Sequence, residues 1–303
     1  MSHPIAHHLK ALRPKQWVKN IFAFGAVVFA QRLTDISALL ATVQAFVGFA
    51  MVSSSIYLIN DTLDYEQDRL HPIKRNRPIA AGHVKRSTAA ALSVVLVVAG
   101  LTVGWRLNID TVTVLAVYYV TNLAYSTKLK HVALVDVFII AFGFLLRVVA
   151  GATAIAAPIS AWLLVTSFFL ALFMAFGKRR GELDTLGDKA AEHRANLANV
   201  TVGFVDQALS ALTAMTVMSY ALYTIDPGVT ARLGTDALVL TVPLVLFGVL
   251  RYLHQIQLGN GGSPTNLVLT DRSVQLNGLI WLALVVYFIY SDVHLGLIAS
   301  SLR

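Results

Sequence analysis

Residues 60–68 read Asn-Asp-Thr-Leu-Asp-Tyr-Glu-Gln-Asp, and residues 69–77 continue Arg-Leu-His-Pro-Ile-Lys-Arg-Asn-Arg. Asp61, Asp64 and Asp68 recur at intervals of three and four, the spacing that places side chains on one face of a helix. Carboxylates so placed repel one another unless a cation joins them, and Mg²⁺ prefers such hard oxygen ligands. A solvated acidic helix end is the plainer reading. These acids, however, follow directly on a long apolar run, at a helix C-terminus where the dipole disfavours anions. That position favours a metal site on Asp61, Asp64 and Asp68, with Asn60 beside them. A few residues on, the sign reverses at Lys74, Arg75 and Arg77. Cations next to a metal site suit a substrate carrying several phosphates. Lys74 and Arg77 are the preferred contacts.

The rest of the chain is unlike this stretch. Of its 303 residues, 56% are hydrophobic and only 13% are charged, against roughly 25% charged in soluble domains. Mean hydropathy is +0.68. Long apolar blocks recur, without the alternation of a transmembrane β-barrel. The expected fold is therefore an all-α polytopic membrane bundle forming one catalytic domain over residues 1–303. Nine transmembrane helices are expected, at about 21–34, 36–59, 88–105, 110–127, 132–155, 159–177, 200–223, 235–255 and 275–299. Residues 1–20 read as a cytoplasmic or interfacial arm, not a cleavable signal peptide, with Trp17 as an interfacial anchor. There is no cysteine, which excludes disulfides and thiol chemistry.

With nine crossings and a cytoplasmic N-terminus, most of the 24 Lys and Arg residues fall on the cytoplasmic side. Only Arg32, Arg106, Arg232 and Arg303 fall opposite, and Arg147 lies within the fifth segment. This is the bias of the positive-inside rule, so the net charge of +8 points to membrane orientation and not to nucleic acid. A transporter needs polar pathway residues reaching both faces. The one-sided pattern instead suggests a plasma (inner) membrane protein whose cavity opens to the cytoplasm, with lipid entering from the side.

Other polar groups stand out against this background. Tyr118 and Tyr119 read as interfacial tyrosines, whereas Tyr125 with Lys130 is more suggestive. Asp136 could be a second carboxylate of the site or a salt-bridge partner of Lys130. Arg147, costly inside a membrane, should face the bundle interior or a wet cavity, and Gly143 and Gly151 on the same helix would permit close packing. A second constellation holds Lys178, Arg179, Arg180, Glu182, Asp184 and Asp188, then Glu192, His193 and Arg194. If the chain leaves the helix at Gly177 or Gly181, its cations offer contacts in several directions. Asp184 and Asp188 could hold a second Mg²⁺, although a solvated, topology-setting loop explains them equally well. Asp271 reads as an N-cap.

Residues 60–68 match the first aspartate-rich motif of the UbiA-type intramembrane prenyltransferase superfamily, and the likeness covers nearly the whole chain. The closer resemblance is to its decaprenyl-phosphate phosphoribosyltransferase branch. It rests on Leu12-Arg13-Pro14-Lys15-Gln16-Trp17-Val18-Lys19-Asn20, Tyr125-Ser126, Leu129-Lys130, Asp136, Arg147, Lys178-Arg179-Arg180 with Glu182, and His193-Arg194. The resemblance implies a UbiA-type bundle and an enzyme, a pentosyltransferase. With Mg²⁺, it would transfer 5-phosphoribose from 5-phosphoribosyl 1-diphosphate to decaprenyl or another polyprenyl phosphate, releasing diphosphate and feeding cell-wall arabinan synthesis. Asn60, Asp61, Asp64, Asp68, Lys74 and Arg77 then form the catalytic set. Lys19, Tyr125, Lys130, Asp136, Arg147, Lys178, Arg179, Arg180, Glu182 and Arg194 form the substrate-binding set. In this branch Glu182 carries more weight than Asp184 and Asp188. The alternatives are a UbiA-type polyprenyl diphosphate transferase acting on an aromatic acceptor, and a non-enzymatic transporter or scaffold for anionic lipids. The oligomeric state is open.

Overall fold

The structure is a computed structural model that describes residues 4–186, 200–259, 264–291 and 293–296. Among these residues every regular element is a helix, and no strand occurs. The chain packs as two compact units. One comprises the residues up to Ala26, Asp35–Lys130 and Leu146–Ala157. The other comprises Val27–Thr34, His131–Leu145 and the residues from Pro158 onward.

Seven helices among the described residues are long and apolar enough to cross a membrane: Ile36–Leu63, Arg86–Leu107, Val135–Ala154, Ala161–Asp184, Val202–Ile225, Ala237–Gln257 and Arg272–Tyr290. This corrects the expectation of nine. The segment expected at 21–34 is instead the end of a 3₁₀ helix, Pro14–Phe24, followed by a five-residue α-helix, Gly25–Phe29. Its chain then turns at Gln31, whose φ is 57°. The segment expected at 110–127 does form a helix, Ile109–Thr127. Its Asp110, Asn122, threonines and tyrosines dilute the apolar content that crossing requires. The N-terminal orientation, which was read from nine alternating crossings, loses that support.

In the first unit the frame is the helix Ile36–Leu63, begun by Asp35, whose side chain accepts a hydrogen bond from the Ala38 N–H. It packs along Arg86–Leu107 at a glycine crossing. A Cβ on Gly100 would lie 2.8 Å from the Gly48 carbonyl oxygen, so only small residues allow this approach. The outer face of Arg86–Leu107 keeps Val94, Val95 and Val98 exposed, as a lipid-facing helix does. Polar groups on the frame are satisfied across helices: the Ser55 hydroxyl donates to the Ser93 carbonyl. The N-terminal arm is folded in, with Ala11 buried among Leu58, Ile79, Val84 and Ala89. Trp17, expected as an interfacial anchor, donates its indole N–H to the Ser54 hydroxyl at 2.9 Å.

Gly151 shows how tightly the arm is held. A Cβ there would stand 2.0 Å from the Ala23 carbonyl oxygen. The Gly151→Ala variant should therefore lose about 1–3 kcal/mol, read as a lowered midpoint of thermal unfolding in detergent.

The second unit pairs Ala161–Leu186 with Val202–Ile225 around Phe173, Phe176, Val205, Leu209, Tyr252 and Ile256. A second cluster gathers Tyr220, Tyr223, Leu233, Leu238, Val285 and Phe288. Asp271 caps Arg272–Tyr290 by accepting from the Val274 N–H at 2.9 Å. The Arg251 hydrogen bond holds the Asp271 carboxyl below its ordinary range.

Candidate functional site

The helix Ile36–Leu63 is interrupted at Asp64, and a shorter helix, Tyr65–Leu70, carries the chain to Asp68. Hydrogen bonding continues through the break, from the Asp64 N–H to Asn60 O at 2.9 Å and from the Asp68 N–H to Asp64 O at 2.8 Å. Asp61 and Asp68 are each 2% exposed. Burying two carboxylates demands compensation, and basic side chains supply it. Arg77 Nη1 donates to Asp61 Oδ1 at 3.0 Å and to Asp68 Oδ2 at 2.6 Å. Arg13 Nη2 donates to the same Asp61 oxygen at 2.5 Å. Asp64 is served separately, by Lys130 Nζ at 2.5 Å on Oδ1 and by the Asn60 amide at 3.0 Å on Oδ2.

The three carboxylates, spaced for one helical face, therefore have different partners in the folded chain. Asp61 and Asp68 converge, and Asp64 points to a different partner. Among the described residues no three Asp, Glu, His or Cys side chains gather as a metal cluster. Two features still fit a divalent cation. The donors are carboxylate oxygens, and those of Asp61 and Asp68 already meet at a single positive point, Arg77 Nη1.

In the same unit, Arg147 is 4% exposed. Its Nε donates to Asn20 Oδ1 at 2.8 Å and its Nη2 to the Tyr118 hydroxyl at 3.1 Å. Its guanidinium carbon stands 4.8 Å over the Phe49 ring and 5.0 Å over the Tyr118 ring. Aromatic faces and neutral oxygens together make a buried guanidinium tolerable. The Asn20 Nδ2 is buried with no hydrogen-bond partner among the described residues, so an amide donor is open beside this cation.

Lys19, next in sequence to Asn20, is half-buried. Its pKa is pushed down to about 8, chiefly by burial and further by the Arg147 and Arg13 charges. The ammonium is therefore half lost at about pH 8 and complete only well below it. If Lys19 contacts phosphate, as the resemblance implies, affinity there should weaken as pH rises through 8. A rise in KM above pH 8 that disappears in Lys19→Gln would show it. The stability effect has the opposite sign. The folded pKa lies below the unfolded value, so fewer protons are bound in the folded state between about 8 and 10.5, and stability rises with pH across that window.

The second unit carries its own cluster. Arg179 and Asp136 are each 3% exposed at the side chain, and Arg179 Nε lies 2.9 Å from Asp136 Oδ2. Arg179 also pairs with Glu182, and Lys178 Nζ reaches Glu182 at 3.8 Å. Arg180 pairs with Asp184 and with Asp206, the latter at 2.7 Å. Two expectations are corrected. The chain does not leave the helix at Gly177 or Gly181 but stays helical to Leu186. Gly177 serves packing, since a Cβ there would lie 2.5 Å from Ile256 Cδ1. Asp136 pairs with Arg179, while Lys130 is bound to Asp64. Asp184 is occupied by Arg180, and its expected companion Asp188 lies outside the described residues, as does Arg194.

Lys74 begins a short 3₁₀ turn, Lys74–Asn76, and Tyr125 is half-buried in the last turns of Ile109–Thr127. Arg13, Asn20 and Asp206 are given no individual role by the sequence reading, and Tyr118 is read only as an interfacial tyrosine. Arg13 and Asn20 stand inside the 12–20 motif, a signal that was present. Asp206 was legible as an isolated acid in an apolar run, whereas Tyr118 looked like any interfacial tyrosine.

The UbiA prenyltransferase family model matches residues 20–270. The chain is 37% identical over 294 residues to a decaprenyl-phosphate phosphoribosyltransferase of Mycolicibacterium smegmatis, covering 93% of this chain and 92% of the relative. It is 35% identical over 287 residues to one of Mycobacterium tuberculosis, covering 93% of each. Among solved structures, a UbiA homolog from Archaeoglobus fulgidus bound to GPP and Mg²⁺ superposes with a TM-score of 0.70 at 21% identity. That match covers 94% of this chain and 98% of the other.

Proposed function

This multi-pass membrane transferase belongs to the UbiA prenyltransferase family, and on that premise we propose that it moves 5-phosphoribose from 5-phosphoribosyl 1-diphosphate to decaprenyl or another polyprenyl phosphate. The observation that carries the reading is the concentration of cations in the first unit. Arg13, Arg77 and Lys130 already balance Asp61, Asp68 and Asp64, and Lys19 and Arg147 add positive charge beyond them. Both substrates of this reaction carry phosphate, whereas prenyl transfer to an aromatic acceptor brings a single diphosphate. The product would serve as an arabinan precursor for the cell wall.

In the proposed reaction an oxygen of the lipid phosphate attacks the anomeric carbon, and the bond to diphosphate breaks with inversion. Asp61 and Asp68, with Asp64 nearby in sequence, would hold Mg²⁺, which when bound neutralises charge on the departing diphosphate. Arg77, Lys74 and Lys130 are assigned to the diphosphate oxygens. Lys19, the Asn20 amide and Arg147 are assigned to the remaining phosphate groups. These contacts accelerate the step to the extent that they tighten as charge develops. The lipid phosphate is already ionised near neutral pH, so no general base is needed. Arg179 and Arg180 pair with carboxylates in the second unit.

Lys10, Arg13, Lys15 and Lys19 in the arm, and Lys74 to Arg86 after the carboxylates, place two basic clusters within this unit. Clustered cations of this kind mark the cytoplasmic side, and they support a cytoplasm-facing site in the plasma (inner) membrane. The test is diphosphate release by purified protein in detergent with Mg²⁺. Release from phosphoribosyl diphosphate that requires polyprenyl phosphate and yields a ribosylated lipid is the expected result. Release only from a prenyl diphosphate with an aromatic acceptor would overturn it.

A further inference from the structure

Arg13 holds a position that the pairing of carboxylates does not require. Its Nη2 lies 2.5 Å from Asp61 Oδ1, the same oxygen that accepts from Arg77 Nη1 at 3.0 Å. Asp61 thus keeps one guanidinium if the other leaves. The Arg13 guanidinium carbon also stands 4.9 Å over the Tyr57 ring, a face that stabilises a cation without neutralising it. The side chain is 24% exposed, whereas that of Asp61 is 2% exposed. The backbone is held in the left-handed region, with φ 54° and ψ 58°, which residues bearing a Cβ disfavour. The Arg13 carbonyl accepts from the Gln16 N–H at 2.8 Å, and Pro14 follows. Strain of this kind persists where neighbouring contacts hold it, and it clusters at functional sites.

We propose that Arg13 exchanges partners, leaving Asp61 when a divalent cation binds the carboxylates and passing to phosphate oxygens of the incoming diphosphate. The inference rests on the metal and diphosphate reading given above. It makes metal and anion binding cooperative. A metal ion arriving alone displaces a guanidinium from Asp61 with nothing to receive it. With diphosphate present, the displaced cation gains an anionic partner. The coupling is reciprocal by linkage. Arg77 also holds Asp68, and it keeps that partner during the exchange.

The test uses the full chain in detergent. Mn²⁺ alone is one probe, read by the paramagnetic resonance signal of the free ion, and a preformed Mn²⁺–diphosphate complex is the other. In Arg13→Gln, Mn²⁺ alone should bind about tenfold tighter and Mn²⁺–diphosphate about tenfold more weakly, within the usual range of coupling. Arg13→Lys keeps the charge and loses the planar fork, and should fall between. Thermal unfolding is recorded for both variants, and if the glutamine variant does not fold, the lysine variant decides. A fixed structural ion pair predicts that both affinities move in the same direction or stay put, and either result overturns the proposal. Neither probe contains ribose. A negative phosphoribosyl transfer assay beside an intact split in affinities would reject the donor and leave the exchange standing.

Discussion

Asp61→Asn should lower Mg²⁺-dependent turnover by roughly 10²–10³-fold, the scale on which loss of one preorganised electrostatic contact acts. The substitution removes the charge on which Arg13 and Arg77 converge. It also turns one of the two carboxylates that meet at a common cationic point into a neutral amide. The fold should survive. Breaking a fully buried ion pair costs about 3–5 kcal/mol, but Arg13 and Arg77 are 24% and 25% exposed and can turn toward water. A loss of about 1–3 kcal/mol is therefore expected. Turnover and thermal unfolding measured on the same preparation separate the two effects. Wild-type turnover in Asp61→Asn would sink the metal assignment, whereas inactivity with collapsed stability would reduce Asp61 to a structural residue.

Arg179→Met is expected to have the largest effect on stability. Arg179 and Asp136 are both 3% exposed at the side chain. Removing the guanidinium breaks the buried Arg179–Asp136 pair in a membrane-embedded environment, at a cost of about 3–5 kcal/mol. Glu182, the other partner of Arg179, is 22% exposed and can hydrate instead. The asymmetry gives a second expectation. Asp136→Asn should cost less, because Arg179 keeps Glu182. The double variant Asp136→Leu with Arg179→Met should recover most of the loss, since replacing both members of a buried pair by apolar groups is often close to neutral. Denaturant unfolding of wild type, Arg179→Met, Asp136→Leu and the double variant completes the cycle. An Arg179→Met variant as stable as wild type would mean that this pair does not hold the second unit together.

Much of this protein was determined by the sequence alone. Long apolar runs with no alternation dictate membrane helices, because every backbone group in lipid must be satisfied within its own segment. The carboxylates at 61, 64 and 68, followed by the cations at 74 and 77, marked the candidate site by residue type and spacing. Arg147 was legible as an interior cation because an arginine has no inexpensive place in an apolar helix. Only the tertiary structure decided the rest. Whether residues 21–34 and 110–127 cross a membrane depended on where the helix breaks and on how much polar content it carries, which apolar runs marginal in length or polarity cannot reveal. Which cation serves which carboxylate depended on packing. Arg13 reaches Asp61 across 48 residues of chain, and Lys130 reaches Asp64 across 66. Asp136 and Arg179, distant in sequence, meet because two helices bring them together. A spacing rule describes one helix, whereas a buried charge finds its partner wherever the fold brings an opposite charge close enough to offset its desolvation.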